Sequence, residues 1–82
     1  MKCKYTVRFK STPENWIKES NGSKRNTVRK ADNDERFMVL DTFKDKYNPG
    51  IEILIISTQD GMVFKRTVSD VTKFDGYYII SW

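Results

Sequence analysis

Three residues at short spacing could do chemistry together: Lys24, Thr27 and Arg29, within the stretch Asn21-Gly22-Ser23-Lys24-Arg25-Asn26-Thr27-Val28-Arg29-Lys30. In an extended segment side chains alternate, so Thr27 and Arg29 share one face while Asn26, Val28 and Lys30 take the other. An ammonium, a hydroxyl and a guanidinium fork gathered in this way suit an anionic or carbonyl-rich ligand such as a nucleotide. Arg25 and Lys30 flank the trio, and Arg8 and Lys10 add positive charge from the first strand. The same residue types also fit a plain solvated turn, in which Lys24 and Arg29 are wet and Thr27 is a strand former.

The elements around the stretch must position it. Asn21-Gly22 is a helix stop, because Gly reaches positive φ at no steric cost and lets the last carbonyls be satisfied. Upstream, Ser11-Thr12-Pro13-Glu14 is a helix start, with Thr12 or Ser11 as N-cap, Pro13 in the first turn and Glu14 beside the positive end of the helix dipole. That helix is expected to run to about Ser20, with Trp16 and Ile17 as its apolar residues and Trp16 as a core plug. A strand follows from Asn26. With Val28 directed into its core, Thr27 and Arg29 project side by side, and Lys24 lies on the turn leading in.

Residues 2–10 alternate strictly, with Cys3, Tyr5, Val7 and Phe9 on one side and Lys2, Lys4, Thr6, Arg8 and Lys10 on the other. This reads as a half-buried strand whose polar face is either a track for phosphates or a lysine-guarded edge. Ala31 to Glu35 is an acidic run that caps a second helix over roughly 34–46, with Phe37, Leu40, Phe43 and Tyr47 on its apolar face and Arg36, Asp41, Lys44 and Asp45 wet. The run lacks the glycine and distal glutamate of a calcium loop. After a turn at Tyr47-Asn48-Pro49-Gly50, Ile51 to Thr58 is the most apolar run, expected as a central strand buried on both faces. Asp60-Gly61 signals a hairpin to Met62–Val68, Ser69 to Gly76 reads as a connection, and Tyr77 to Trp82 as a last strand. The order is thus β-α-β-α-β-β-β in one domain over residues 1–82. Five short strands with two-sided apolar content suggest a small barrel plugged by a helix.

Composition bounds the chemistry. With 82 residues, 38% hydrophobic and 13% aromatic, the chain can build one small core. One cysteine, Cys3, permits no intrachain disulfide, and the absence of histidine removes Ser-His-Asp and Cys-His machinery and makes a transition-metal site improbable. No cofactor is implied. No stretch approaches the ~20 apolar residues of a membrane span, and no apolar signal core follows Met1-Lys2-Cys3-Lys4, so a cytoplasmic monomer is expected. The net charge of +4 is unevenly placed: residues 1–30 hold nine Lys/Arg against Glu14 and Glu19, a balance of +7, and residues 31–82 hold six against nine acids, a balance of −3. A basic face toward RNA or another anionic partner and an acidic face elsewhere follow from that split.

The stretch Gly22-Ser23-Lys24-Arg25-Asn26-Thr27-Val28-Arg29, preceded by a helix with Trp16 and Glu19, resembles the Gly-x-Lys-x-x-Thr-x-Arg pattern of the ASCH family, PUA-like small barrels that often bind or act on RNA. The closing Asp75-Gly76-Tyr77-Tyr78-Ile79-Ile80-Ser81-Trp82 is similar to the final strand of a shorter subgroup common in phages. The resemblance implies a small five-stranded PUA-like β-barrel with two short helices. It implies a nucleic-acid or nucleotide ligand held by Lys24, Arg25, Thr27, Arg29 and Lys30, with Arg8 and Lys10 on phosphates. In family members that are amidohydrolases of acetylcytidine, Thr27 would match the nucleophile and Lys24 its base. The family's catalytic Glu has no counterpart in Ser69–Gly76, where Asp70 and Asp75 are the only acids. Three readings therefore stand: a binding module, an amidohydrolase using Thr27 and Lys24, and an interaction protein docking on a host protein through Asp32, Asp34, Glu35, Asp41 and Asp45.

Overall fold

The structure, a computed structural model, describes residues 5–43 and 50–82. Cys3 and the expected lysines at 2 and 4 lie outside those residues, as do Lys44, Asp45 and the turn residues Tyr47 to Pro49. The described chain runs β1 (Tyr5–Ser11), α1 (Pro13–Ser20), β2 (Asn26–Lys30), α2 (Glu35–Leu40), β3 (Ile51–Ser57), β4 (Val63–Thr67), β5 (Asp70–Phe74) and β6 (Tyr77–Ser81).

The strands form two three-stranded sheets, ordered β1-β3-β4 and β2-β6-β5. β1 and β3 are parallel, with Val7 opposite Ile53 and Phe9 opposite Ile55, and α1, β2 and α2 lie on the crossover that parallel pairing requires. β4 returns antiparallel to β3, and β6 pairs antiparallel with both β2 and β5. The core between the sheets is Val7, Phe9, Ile51, Ile53, Ile55, Val68, Tyr78 and Ile80, closed by Phe37 and Leu40 of α2. Each of its isoleucines contributes about 1.5–3 kcal/mol by leaving water.

The five-stranded barrel in the order β-α-β-α-β-β-β does not form. Two local facts replace it. The segment expected as a connection, Ser69 to Gly76, holds a sixth strand, because Asp75 and Gly76 adopt φ of 52° and 81° and make the two-residue turn that folds β5 onto β6, Phe74 opposite Tyr77. Among the described residues no strand ladder joins β1 to β2, so the sheets stay open at that seam. There Arg29 reaches from β2 and its Nη1 donates to the Lys10 carbonyl at 2.6 Å. Side-chain hydrogen bonds from Arg29 cross this seam, to the Lys10 carbonyl and the Ser11 hydroxyl, where a barrel would have a backbone ladder.

Other expectations are also corrected. β3 is central to its sheet, but only its odd-numbered face is fully buried, Glu52, Leu54 and Ile56 being half-buried. α2 ends at Leu40 instead of near 46, with Asp34 as N-cap accepting from the Arg36 backbone N–H at 2.9 Å. Val28 points outward, 52% exposed, and Thr27 and Arg29 point inward. Register decides this: Thr27 is opposite Ile80 and Arg29 opposite Tyr78, and both partners face the core. Among the described residues no helix is long and apolar enough to cross a membrane.

Candidate anion-binding site

β1 is an edge strand. The Tyr5 amide bonds the Gly50 carbonyl and the Ser11 carbonyl accepts from Thr58, so odd-numbered residues of β1 bond toward β3 and even-numbered ones face the open edge. Guanidiniums cap those free carbonyls: Arg36 Nη1 donates to Arg8 O at 3.0 Å and Arg29 Nη1 to Lys10 O. Both guanidiniums lie over the Phe9 ring, their Cζ atoms 4.5 and 5.0 Å from its centroid. Arg8, Phe9, Lys10, Arg29, Arg36 and Ile56 together line a cleft of about 480 Å³. A neighbouring cleft of about 280 Å³ shares Arg8 and Arg36 and extends past Thr6 and Val39.

Behind the cleft lies a polar network inside the fold. Arg29 Nε donates to Thr27 Oγ1 at 2.9 Å, and its Nη2 donates to Ser11 Oγ at 2.7 Å. Ser11 Oγ donates in turn to Glu19 Oε1 at 2.8 Å. Glu19 is 1% and Thr27 2% exposed. No buried side-chain polar atom among the described residues lacks a partner, as such a network needs if it is not to destabilise the core.

The charges in the cleft are unequally balanced. Arg36 is paired with Asp34 at 2.7 Å, and that hydrogen bond chiefly raises the guanidinium and lowers the carboxyl. Arg29 is pulled below its ordinary range by burial, with Glu19 opposing and the like charge of Arg36 adding to the shift. It stays a cation, as guanidiniums do. Among the described residues Arg8 and Lys10 have no carboxylate partner. A site with four cations and one paired carboxylate can hold an anion; guanidinium forks match phosphate oxygens two at a time.

Of the residues singled out from sequence, the structure brings Arg8, Lys10 and Arg29 to one cleft and places Thr27 behind it. Lys24 and Lys30 line neither this cleft nor its neighbour. Arg25 belongs to a different cleft. The Thr27 hydroxyl has Arg29 as its partner and not Lys24, so the pair expected to serve as nucleophile and base is not joined. The acidic residues are also divided: Asp34 caps α2 and holds Arg36, and Asp41 accepts from Tyr78 Oη at 2.7 Å and pairs with Lys73 at 2.6 Å.

Arg36, expected as a wet helix residue, Phe9, expected as a core residue, Ser11, expected as a helix cap, and Glu19 were not expected at the site. Two of them left a signal. Ser11 continues the inward alternation of Val7 and Phe9, and Glu19 lies three residues after Trp16 on the inward face of α1, so both are polar residues at core positions. Compared with known proteins, the chain matches no family model, no curated relative and no solved structure.

Proposed function

We propose that this chain is a binding module for phosphate-bearing ligands, a nucleotide or single-stranded nucleic acid, whose phosphate enters the cleft at the β1 edge. The observation that carries this reading is the convergence of Arg8, Lys10, Arg29 and Arg36 on one cleft with Phe9 at its wall; among the described residues only Arg36 of the four forms a direct ion pair with a carboxylate. Arg29 and Arg36 are like charges held close by the fold, and an anion between them relieves that repulsion. Arg8 and Lys10 project from the same face of β1 about 6.6 Å apart along the strand, a spacing suited to successive phosphates of an extended chain. The likeness of Gly22–Arg29 to the ASCH motif points to the same ligand class.

The reading is tested by titrating a fluorescent oligonucleotide of about 10 nucleotides at several salt concentrations. The logarithm of affinity falls with the logarithm of salt by about 0.7 per phosphate contacted, and the Arg8→Ala/Lys10→Ala double variant binds more weakly with a shallower slope. Binding insensitive to both salt and those substitutions would exclude it.

A further inference from the structure

At the other end of β2 a third cleft, of about 350 Å³, is lined by Ser20, Asn21, Gly22, Arg25, Arg66 and Trp82. That volume is within the range of small-ligand sites. Its aromatic wall is held from inside the fold. Trp16 Nε1 donates to the Ile55 carbonyl at 3.1 Å, and the Trp16 ring meets Phe64 edge-on at 5.6 Å. Phe64 meets Trp82 edge-on at 6.1 Å, and the Trp82 amide donates to Arg25 O at 3.0 Å. The half-buried Trp82 ring is therefore oriented by a ladder of rings while part of it faces the cleft.

Of the positive groups of this cleft, Arg66 is fixed without being neutralised. Arg66 lies over Phe64, 4.9 Å from its centroid, and donates to the Ser20 and Lys65 carbonyls, both uncharged acceptors. Arg25 is exposed, and among the described residues neither arginine has a carboxylate partner. An indole surface beside two unpaired guanidiniums recognises a flat π-system that carries negative charge.

We infer that this cleft is a base-stacking subsite for single-stranded nucleic acid, the base stacking on Trp82 and its phosphate meeting Arg25 and Arg66. The inference rests on the phosphate-binding reading of the β1 cleft and adds what that cleft lacks, an accessible aromatic face, since Phe9 is buried beneath its arginines. Arg25 and Arg29 are four residues apart on one extended segment, about 13 Å, so a few nucleotides of one strand can engage both clefts.

The test uses the two indole N–H signals of the labelled protein, assigned with Trp82→Leu, during titration with adenosine monophosphate and with the short oligonucleotide. The Trp82 signal shifts, and the Trp16 signal, tied to Ile55, does not. Trp82→Leu and Arg25→Ala each weaken oligonucleotide binding, Trp82→Leu by roughly 5- to 100-fold as expected for one stacked base, with the far-ultraviolet spectrum retained. If both variants bind within about twofold of the parent while Arg8→Ala/Lys10→Ala weakens binding, the subsite is refuted and the β1 cleft stands. If only Trp82→Leu and Arg25→Ala weaken binding, the β1 reading falls and the stacking site remains. A polyglutamate peptide that moves the Trp82 signal as strongly as the oligonucleotide would overturn the assignment in favour of an acidic protein partner, and no response to any probe would remove both readings.

Discussion

Arg29 and Glu19 are joined through a single hydroxyl: Ser11 Oγ accepts from Arg29 Nη2 at 2.7 Å and donates to Glu19 Oε1 at 2.8 Å. The relay connects β2, β1 and α1, three elements distant in sequence, and it holds the guanidinium that lies over Phe9 at the cleft.

Because the relay acts as a unit, its members should not contribute additively. Arg29→Met leaves the Lys10 carbonyl and the Thr27 and Ser11 hydroxyls without their cation and is expected to cost about 1.5–3 kcal/mol, the range for hydrogen bonds to a charged group. Glu19→Gln keeps an acceptor for Ser11 and costs less. In urea denaturation the double variant is expected to lose less than the sum of the two, by about 0.5–2 kcal/mol. Strict additivity would show that Ser11 transmits nothing between them.

The Asp75-Gly76 turn makes the sixth strand, so its backbone requirement is testable. Gly76, at φ 81°, has open space where a Cβ would stand, and the penalty for a side chain there is conformational. Gly76→Val is expected to destabilise by about 1–2 kcal/mol and more than Val→Ala changes on the surface, while Asp75→Asn, which tolerates φ of 52°, stays near neutral. Thermal melts of the two variants separate these outcomes, and equal effects would argue against the hairpin.

A pH dependence follows from the clip between α2 and the second sheet. Burial alone would raise the Asp41 carboxyl, but hydrogen bonds from Lys73 and Tyr78 hold it below the usual carboxylate range. Its contribution is therefore present above the ordinary carboxylate pKa and is lost as pH falls through the depressed folded value. Lys73 and Tyr78 are both raised, chiefly by their hydrogen bonds to Asp41, so their contributions are complete below their ordinary pKa values and vanish as pH rises through the raised ones. Asp41→Asn is expected to lower the melting temperature at neutral pH and to converge with the parent at strongly acidic pH. A constant difference across pH would contradict the clip.

These features were unequally legible in the sequence. Strong alternation in Tyr5–Phe9 and the apolar run from Ile51 identified β1 and β3, and Pro13 with Gly22 bracketed α1. Asp75-Gly76 carries the same signal that marked Asp60-Gly61, yet the polar segment Asp70–Phe74 is exposed along most of its length, so no alternation announced β5. The direction of β2 was misleading for a different reason. Val28 is the more apolar choice for the core, but pairing with Ile80 and Tyr78 turns Thr27 and Arg29 inward, and only tertiary register supplies that information. The cleft itself depended on Arg36 arriving from α2, a contact that no local pattern encodes.

The most direct test of phosphate binding at the β1 edge is to follow the side-chain Nε–H signals of Arg29 and Arg36 while a short single-stranded oligonucleotide is added at low salt. Both signals are expected to shift together with the amides of Arg8 and Lys10 and to return as salt is raised. If the oligonucleotide binds and these signals stay where they are, the β1 cleft is not the site.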